Sequence, residues 1–304
     1  MQLPGLVVPP LTPFTSDLDV DVDALRKGVD YVVSECEASM VVAAGVEAQE
    51  YQYLAPDERL ALIDRTIEFV DGRRPVAVGV SHPSFRQTIA LAHHAESRGA
   101  RALQLLAPLR PFGGQPTTAD LVAYFEAVIA ETSLPVMLYL NPGSGADVSV
   151  PATIELAQID RVDYVKESSR DLSRVSRLIV EIDGAGTARY FTTMQMLLIS
   201  LQLGGSGVTL PPPAARLAAM VVRAYNAGDL VEAARLQRQF AVYPARWMHR
   251  GLTTVMKASM ELLGVPAGDP YPPYPPIAGA ELDALRSYLA TTDLAPDLVP
   301  HKEN

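Results

Sequence analysis

Eight short apolar runs recur along the first two thirds of the chain: 5–8 (GLVV), 39–44 (SMVVAA), 75–80 (PVAVGV), 101–106 (RALQLL), 135–140 (PVMLYL), 162–166 (VDYVK), 187–191 (TARYF) and 206–210 (SGVTL). Short, nearly continuous apolar runs bounded by turn-forming residues read as strands covered on both faces. Between most of them the period becomes that of a helix. Leu60, Ile63, Ile67 and Val70 recur at spacings of three and four, behind Pro56 at a first helical position. Ser84 and Gln87 have capping-box spacing ahead of the next helix, and Gly99 stands beyond its end. Strands alternating with amphipathic helices predict an α/β fold with a parallel sheet, and eight such units predict a closed (β/α)8 TIM barrel. The alternative is an open doubly wound sheet, but no GxGxxG follows the first strand.

After residue 228 the alternation stops. Helical segments are predicted near 229–242, 250–263 and 279–290, with "GDPYPPYPP" between the last two as a stiff connector lying across the barrel. This divides the chain into a barrel, 1–228, and a C-terminal helical region, 229–304, packed on it. The end, "PDLVPHKEN", reads as a loose tail.

Composition narrows the function classes. A net charge of −10 argues against non-specific binding to nucleic acid or to an anionic membrane. One cysteine, Cys36, excludes an internal disulfide and fits a reducing compartment. There is no basic N-terminal segment and no uncharged apolar run approaching about 18 residues, so a soluble, cytoplasmic protein is expected. The five histidines form neither HExxH nor a spaced Cys/His set, so neither a metal nor another cofactor is expected.

In a (β/α)8 barrel the chemistry sits at the carboxyl ends of the strands. The residues there are Thr12, Glu47, Arg110, Tyr139, Asn141, Lys166, Glu167, Thr192 and Thr209. Lys166 stands out because the chain has four lysines against 21 arginines. A lysine ending the sixth strand can be desolvated at the barrel mouth, which lowers its pKa and yields the neutral amine needed to attack a carbonyl. The competing reading is a lysine that reaches the rim or pairs with Glu167. Tyr139 closes the neighbouring fifth strand, where a phenol could shuttle protons to and from an imine. The glycine-rich "GGSG" (204–207) precedes the eighth strand and so falls at the opposite face, a turn rather than a phosphate cradle. Thr209, at that strand's carboxyl end, is the better pocket-lining residue.

Taken with their flanks, these residues resemble the dihydrodipicolinate synthase/N-acetylneuraminate lyase family. "LTPF" (11–14), "EYQYLAPDER" (50–59), "LYLNPG" (138–143), "YVKESSRDL" (164–172), "LGGSGVTL" (203–210) and "MKASMELLG" (256–264) match its motifs in order. The resemblance implies a class I, metal-free aldolase-type barrel, commonly a homo-oligomer (tetramer or dimer). It implies Lys166 as imine former, Tyr139 as proton shuttle, and pyruvate or another 2-oxo acid as donor with an aldehyde as its partner.

Three departures limit the transfer. The family's GTTGE is "VEAQE" here, Val46 to Glu50, so hydroxyls that would cradle the substrate carboxylate are replaced by Glu47 and Ala48, and a glycine by Gln49. Backbone donors at Ala48 and Gln49 remain, and Glu47 is expected to act as general acid/base beside Tyr139. Arg110 replaces an interface aromatic and is expected to pair with Glu47 or to grip a substrate carboxylate. Ser144 replaces an arginine used by the synthases on the aldehyde's carboxylate. Asn141, in the tyrosine motif, completes the expected pocket. The leading expectation is a Schiff-base lyase or synthase other than dihydrodipicolinate synthase itself. A Schiff-base dehydratase or hydratase-aldolase, and a catalytically silent metabolite-binding barrel, are the alternatives.

Overall fold

The computed structural model describes residues 5–110 and 114–295. Strands β1 (Gly5–Val8), β2 (Met40–Ala43), β3 (Val76–Gly79), β4 (Ala102–Leu106), β5 (Val136–Leu140), β6 (Val162–Glu167), β7 (Arg189–Thr192) and β8 (Gly207–Thr209) close into one barrel in chain order. Every neighbouring pair is parallel. Each strand falls within a residue or two of its apolar run. The helices are α1 (Val22–Asp30), α2 (Pro56–Val70), α3 (Phe85–Ser97), α4 (Thr118–Ala130), α5 (Val150–Ala157), α6 (Leu172–Leu178), α7 (Leu197–Gln202) and α8 (Pro212–Asn226). After them come α9 (Leu230–Gln237), α10 (Leu252–Leu262) and α11 (Gly279–Leu289).

Strand side chains alternate between two apolar sets. Val8, Val41, Val78, Leu103, Leu105, Leu138, Val165 and Val208 point outward and pack with the helices in the main core. Val7, Met40, Val42, Ala77, Ala102, Met137 and Phe191, with Tyr164 against them, fill the inside of the barrel. This parity decides which strand-end residues reach the mouth. It also explains why the strands read as continuous apolar runs: neither face meets water.

Helix starts follow the sequence signals with one difference. Pro56 opens α2, and the Ala55 N–H donates to the Glu58 carboxylate at 2.6 Å. Ser84 caps α3, but its side chain makes no capping bond; its carbonyl accepts from the N–H groups of Gln87 and Thr88. The spacing located the helix start without predicting the bonds that make it.

The proline-rich connector packs on the segments that follow β1 and β2. Tyr271 stacks on Tyr53 with ring centroids 4.5 Å apart and meets Phe14 edge-on at 4.9 Å. The expected tail, from residue 296 onward, lies outside the described residues. Among the described residues no helix is long and apolar enough to cross a membrane.

Candidate active site

Lys166 and Tyr139 are direct register partners on β6 and β5. On β6, Val165 and Glu167 point outward, so Tyr164 and Lys166 point into the barrel. Lys166 is 2% exposed and Tyr139 is likewise buried. The Lys166 Nζ lies 5.2 Å from the centroid of the Tyr139 ring. It donates to the Ser168 hydroxyl at 3.0 Å and to the Glu167 carbonyl at 3.4 Å. Burial lowers the Lys166 pKa to about 8, with the Glu47 and Glu167 carboxylates opposing that shift. About a tenth of the amine is therefore neutral at pH 7, on the order of a hundredfold more than for an unperturbed lysine.

Burial holds the Tyr139 pKa well above its ordinary value, and the nearby Glu47 carboxylate pushes the same way. Ser168 and Asn141, hydrogen-bonding to the phenol, pull against this. Tyr139 therefore stays protonated and is poised to give a proton rather than to start without one. The Ser168 hydroxyl accepts from the amine and also acts on the phenol, so it lies near both groups.

Glu47 comes from the loop after β2. Desolvation raises its pKa, while Lys166 and the Gln104 amide oppose the rise. Gln104 fixes its orientation: the Gln104 Oε1 accepts from the Val46 N–H at 2.9 Å, leaving its Nε2 to donate to Glu47 at 3.2 Å. Gly79, across from Gln104 in register on β3, makes room for the loop. A Cβ there would lie 2.0 Å from the Ala44 carbonyl oxygen, so only glycine lets the β2 loop approach this closely.

The same loop is anchored from beneath. Glu50, 2% exposed, accepts from the Thr12 N–H at 2.8 Å and pairs with Lys257 of α10 at 3.1 Å. The Lys257 ammonium also donates to the carbonyls of Thr12, Ala267 and Asp269. Gln49, beside Glu50, holds φ at 54°, a left-handed conformation costly for a residue with a side chain. Its Oε1 accepts from Gln52 at 2.8 Å, and the Ala48 carbonyl accepts from the Thr253 hydroxyl at 3.4 Å.

The predicted residues thus separate into two groups. Glu47, Tyr139, Lys166 and Asn141 converge at the mouth, with Ala48 and Gln49 on the adjoining loop and Thr209 facing inward from β8. Arg110 does not join them: it is exposed and pairs with Asp120 at the start of α4, so the expected Glu47–Arg110 ion pair is absent. Asp120 already sits at that helix start in a reciprocal cap with Thr117, and the nearby guanidinium is drawn to it. Glu167 and Thr192 point away from the mouth. The Glu167 carboxylate is held by Arg174 and the Tyr190 hydroxyl, and the Thr192 hydroxyl accepts from Ser200 at 2.8 Å. Sequence reasoning passed over Gln104 and Ser168. A signal for Gln104 was present, since it is the lone polar residue within β4 and lies at an inward position.

A closed (β/α)8 barrel with a desolvated lysine amine, a phenol and a carboxylate gathered at the strands' carboxyl ends defines the class of protein. The chain belongs to the dihydrodipicolinate synthetase family, whose model matches residues 2–292. That family comprises Schiff-base aldolase-type lyases and synthases. The chain is 30% identical over 301 residues to the 4-hydroxy-tetrahydrodipicolinate synthase of Moorella thermoacetica, covering 97% of this chain and 100% of that one. Among solved structures it is similar to YagE, a prophage protein of the dihydrodipicolinic acid synthase family from E. coli K12 in complex with pyruvate. The TM-score is 0.86 at 24% identity, over 95% of this chain and 98% of that one. It is also similar to the N-acetylneuraminate lyase of Mycoplasma synoviae, with TM-score 0.82 at 20% identity, over 95% and 97% of the two chains.

Proposed function

We propose that this protein is a lysine Schiff-base lyase or synthase whose donor is pyruvate or another 2-oxo acid. The observation that carries the reading is the buried Lys166 amine, its pKa lowered to about 8, in register with Tyr139 and within the field of Glu47. The pyruvate bound to YagE supports the donor class. The neutral amine attacks the keto carbon, and the carbinolamine loses water to give an iminium. That iminium accepts the electron pair released when an α-proton leaves or an adjacent C–C bond breaks, forming an enamine. Tyr139, with Ser168 as its link to the nitrogen, supplies and removes the protons of carbinolamine collapse. The enamine then adds to an aldehyde, or is protonated after an aldehyde has left. We take the aldehyde to differ from that of lysine synthesis, because Arg110 is engaged at the surface and Ser144 offers no cation.

Glu47 favours a second outcome on the same intermediate. A carboxyl with a raised pKa beside the enamine can protonate a departing β-hydroxyl, giving dehydration without fragmentation. Products separate the two: a new aldehyde for cleavage, loss of water alone for dehydration.

Borohydride trapping with a panel of 2-oxo acids tests the reading. A covalent adduct is expected at Lys166, forming faster as pH rises and reaching its half-maximal rate near the amine's pKa of about 8. Absence of any adduct would favour a silent binding barrel. Glu47→Gln is expected to slow turnover by about 10²-fold. Because the Glu47 carboxylate raises the Lys166 pKa, its loss is also expected to move the rising limb to lower pH. Turnover at the wild-type rate would remove Glu47 from the acid–base role.

A further inference from the structure

We propose that Thr209 selects the donor: the pocket takes a 2-oxo acid bearing a hydroxyl on the carbon next to the carbonyl, and the Thr209 hydroxyl bonds to it. This deepens the Schiff-base reading and rests on it.

Thr209 is 1% exposed, and its Oγ1 has no hydrogen-bond partner among the described residues. Other buried threonines do not share this condition. Thr66 donates to the Leu62 carbonyl at 2.8 Å, Thr153 to the Ser149 carbonyl at 2.9 Å, and Thr192 accepts from Ser200 at 2.8 Å. A buried hydroxyl left unpaired is costly, and valine would fill the same volume without that cost. A threonine here is therefore explained by a ligand that completes it.

Position says which ligand. Val208 belongs to the outward set, so Gly207 and Thr209 point inward. Lys166 pairs in register with Phe191, and Phe191 with Gly207, which places Thr209 two strands round from the lysine and one inward step nearer the mouth. Beneath it Gly207 has no side chain and admits none, since a Cβ would lie 2.0 Å from the Gly5 carbonyl oxygen. Thr209 thus faces the barrel interior on the side of Lys166 opposite Tyr139, where a substituent of the bound donor not involved in proton transfer would project. A bare methyl group there leaves Oγ1 unpaired; a hydroxyl both donates to it and accepts from it.

The test uses the full-length protein and a size-matched pair of probes, 3-hydroxypyruvate and 2-oxobutanoate, with borohydride trapping at Lys166. The wild type is expected to reach half-maximal trapping with 3-hydroxypyruvate at about tenfold lower concentration. Thr209→Val should erase that preference and melt at or above the wild-type temperature, because it removes an unpaired buried hydroxyl. Thr209→Ser should keep the preference. Equal trapping of both acids by the wild type, a preference that survives in Thr209→Val, or a Thr209→Val protein melting several degrees lower would each overturn the proposal while leaving the Schiff-base reading intact. No adduct with either acid while pyruvate still traps at Lys166 would overturn the proposal alone, and no adduct with any of the three would overturn both.

Discussion

Lys166→Met is expected to abolish the borohydride-trapped adduct and slow turnover by about 10⁴-fold or more, the scale seen when a covalent nucleophile is removed. It is also expected to make the protein more stable at neutral pH. The amine is buried, and burial lowers its pKa from 10.5 to about 8. The unfolded chain therefore binds more protons than the folded one between those two values. Wild-type stability should rise with pH through that window, and below it the fold carries the full penalty of a buried charge. The shift corresponds to about 3 kcal/mol. Methionine removes the penalty and retains much of the side chain's volume. The advantage of Lys166→Met should then be greatest below pH 8 and vanish above pH 10.5. Chemical denaturation of both proteins across that range measures it. A variant less stable than wild type at pH 7 would mean that the amine is stabilised in the fold, and the argument for a readily neutralised nucleophile would fail. A site that trades stability for reactivity in this way is expected where catalysis needs a perturbed group.

The barrel was legible because each strand is buried on both faces and each helix on one, so period alone separates them. Lys166 and Tyr139 could be placed at the mouth by counting to the ends of their strands. Parity was the step left out. Thr192 and Glu167 end their strands as Tyr139 and Lys166 do, yet face the helices, and one position along a strand exchanges pocket for outer core. The same count would have picked out Gln104, a polar side chain at an inward position in an apolar strand. Arg110 misled for a different reason. A long side chain is claimed by whichever opposite charge its backbone brings near, and Asp120, ten residues on, is nearer than any substrate. The Glu50–Lys257 pair was out of reach of any local pattern. Its members stand in matching family motifs at opposite ends of the chain, and folding alone brings them together.

That pair carries the largest expected effect on stability. Lys257 is 1% exposed and Glu50 2%, and burial drives their pKa values toward neutrality while each holds the other charged. Lys257→Met leaves Glu50 as a buried carboxylate whose remaining partner among the described residues is the Thr12 N–H, and it strips a donor from the carbonyls of Thr12, Ala267 and Asp269. Breaking a buried pair from one side costs about 3–5 kcal/mol. For a chain of this size that corresponds to a fall in melting temperature on the order of 10 °C. Glu50→Gln with Lys257→Met should recover part of the loss, because the buried charge is gone, but not all of it, because the three carbonyls stay without their ammonium. Catalysis should suffer in the double variant as well. Glu50 follows Glu47 by three residues, and the β2 loop between β1 and α10 is pinned through this pair to both. Releasing it frees Glu47 from the geometry that Gln104 enforces, so turnover should fall while trapping at Lys166 persists. A Lys257→Met protein that melts within a degree or two of wild type would show that the C-terminal helices cover the barrel without holding its active-site loop.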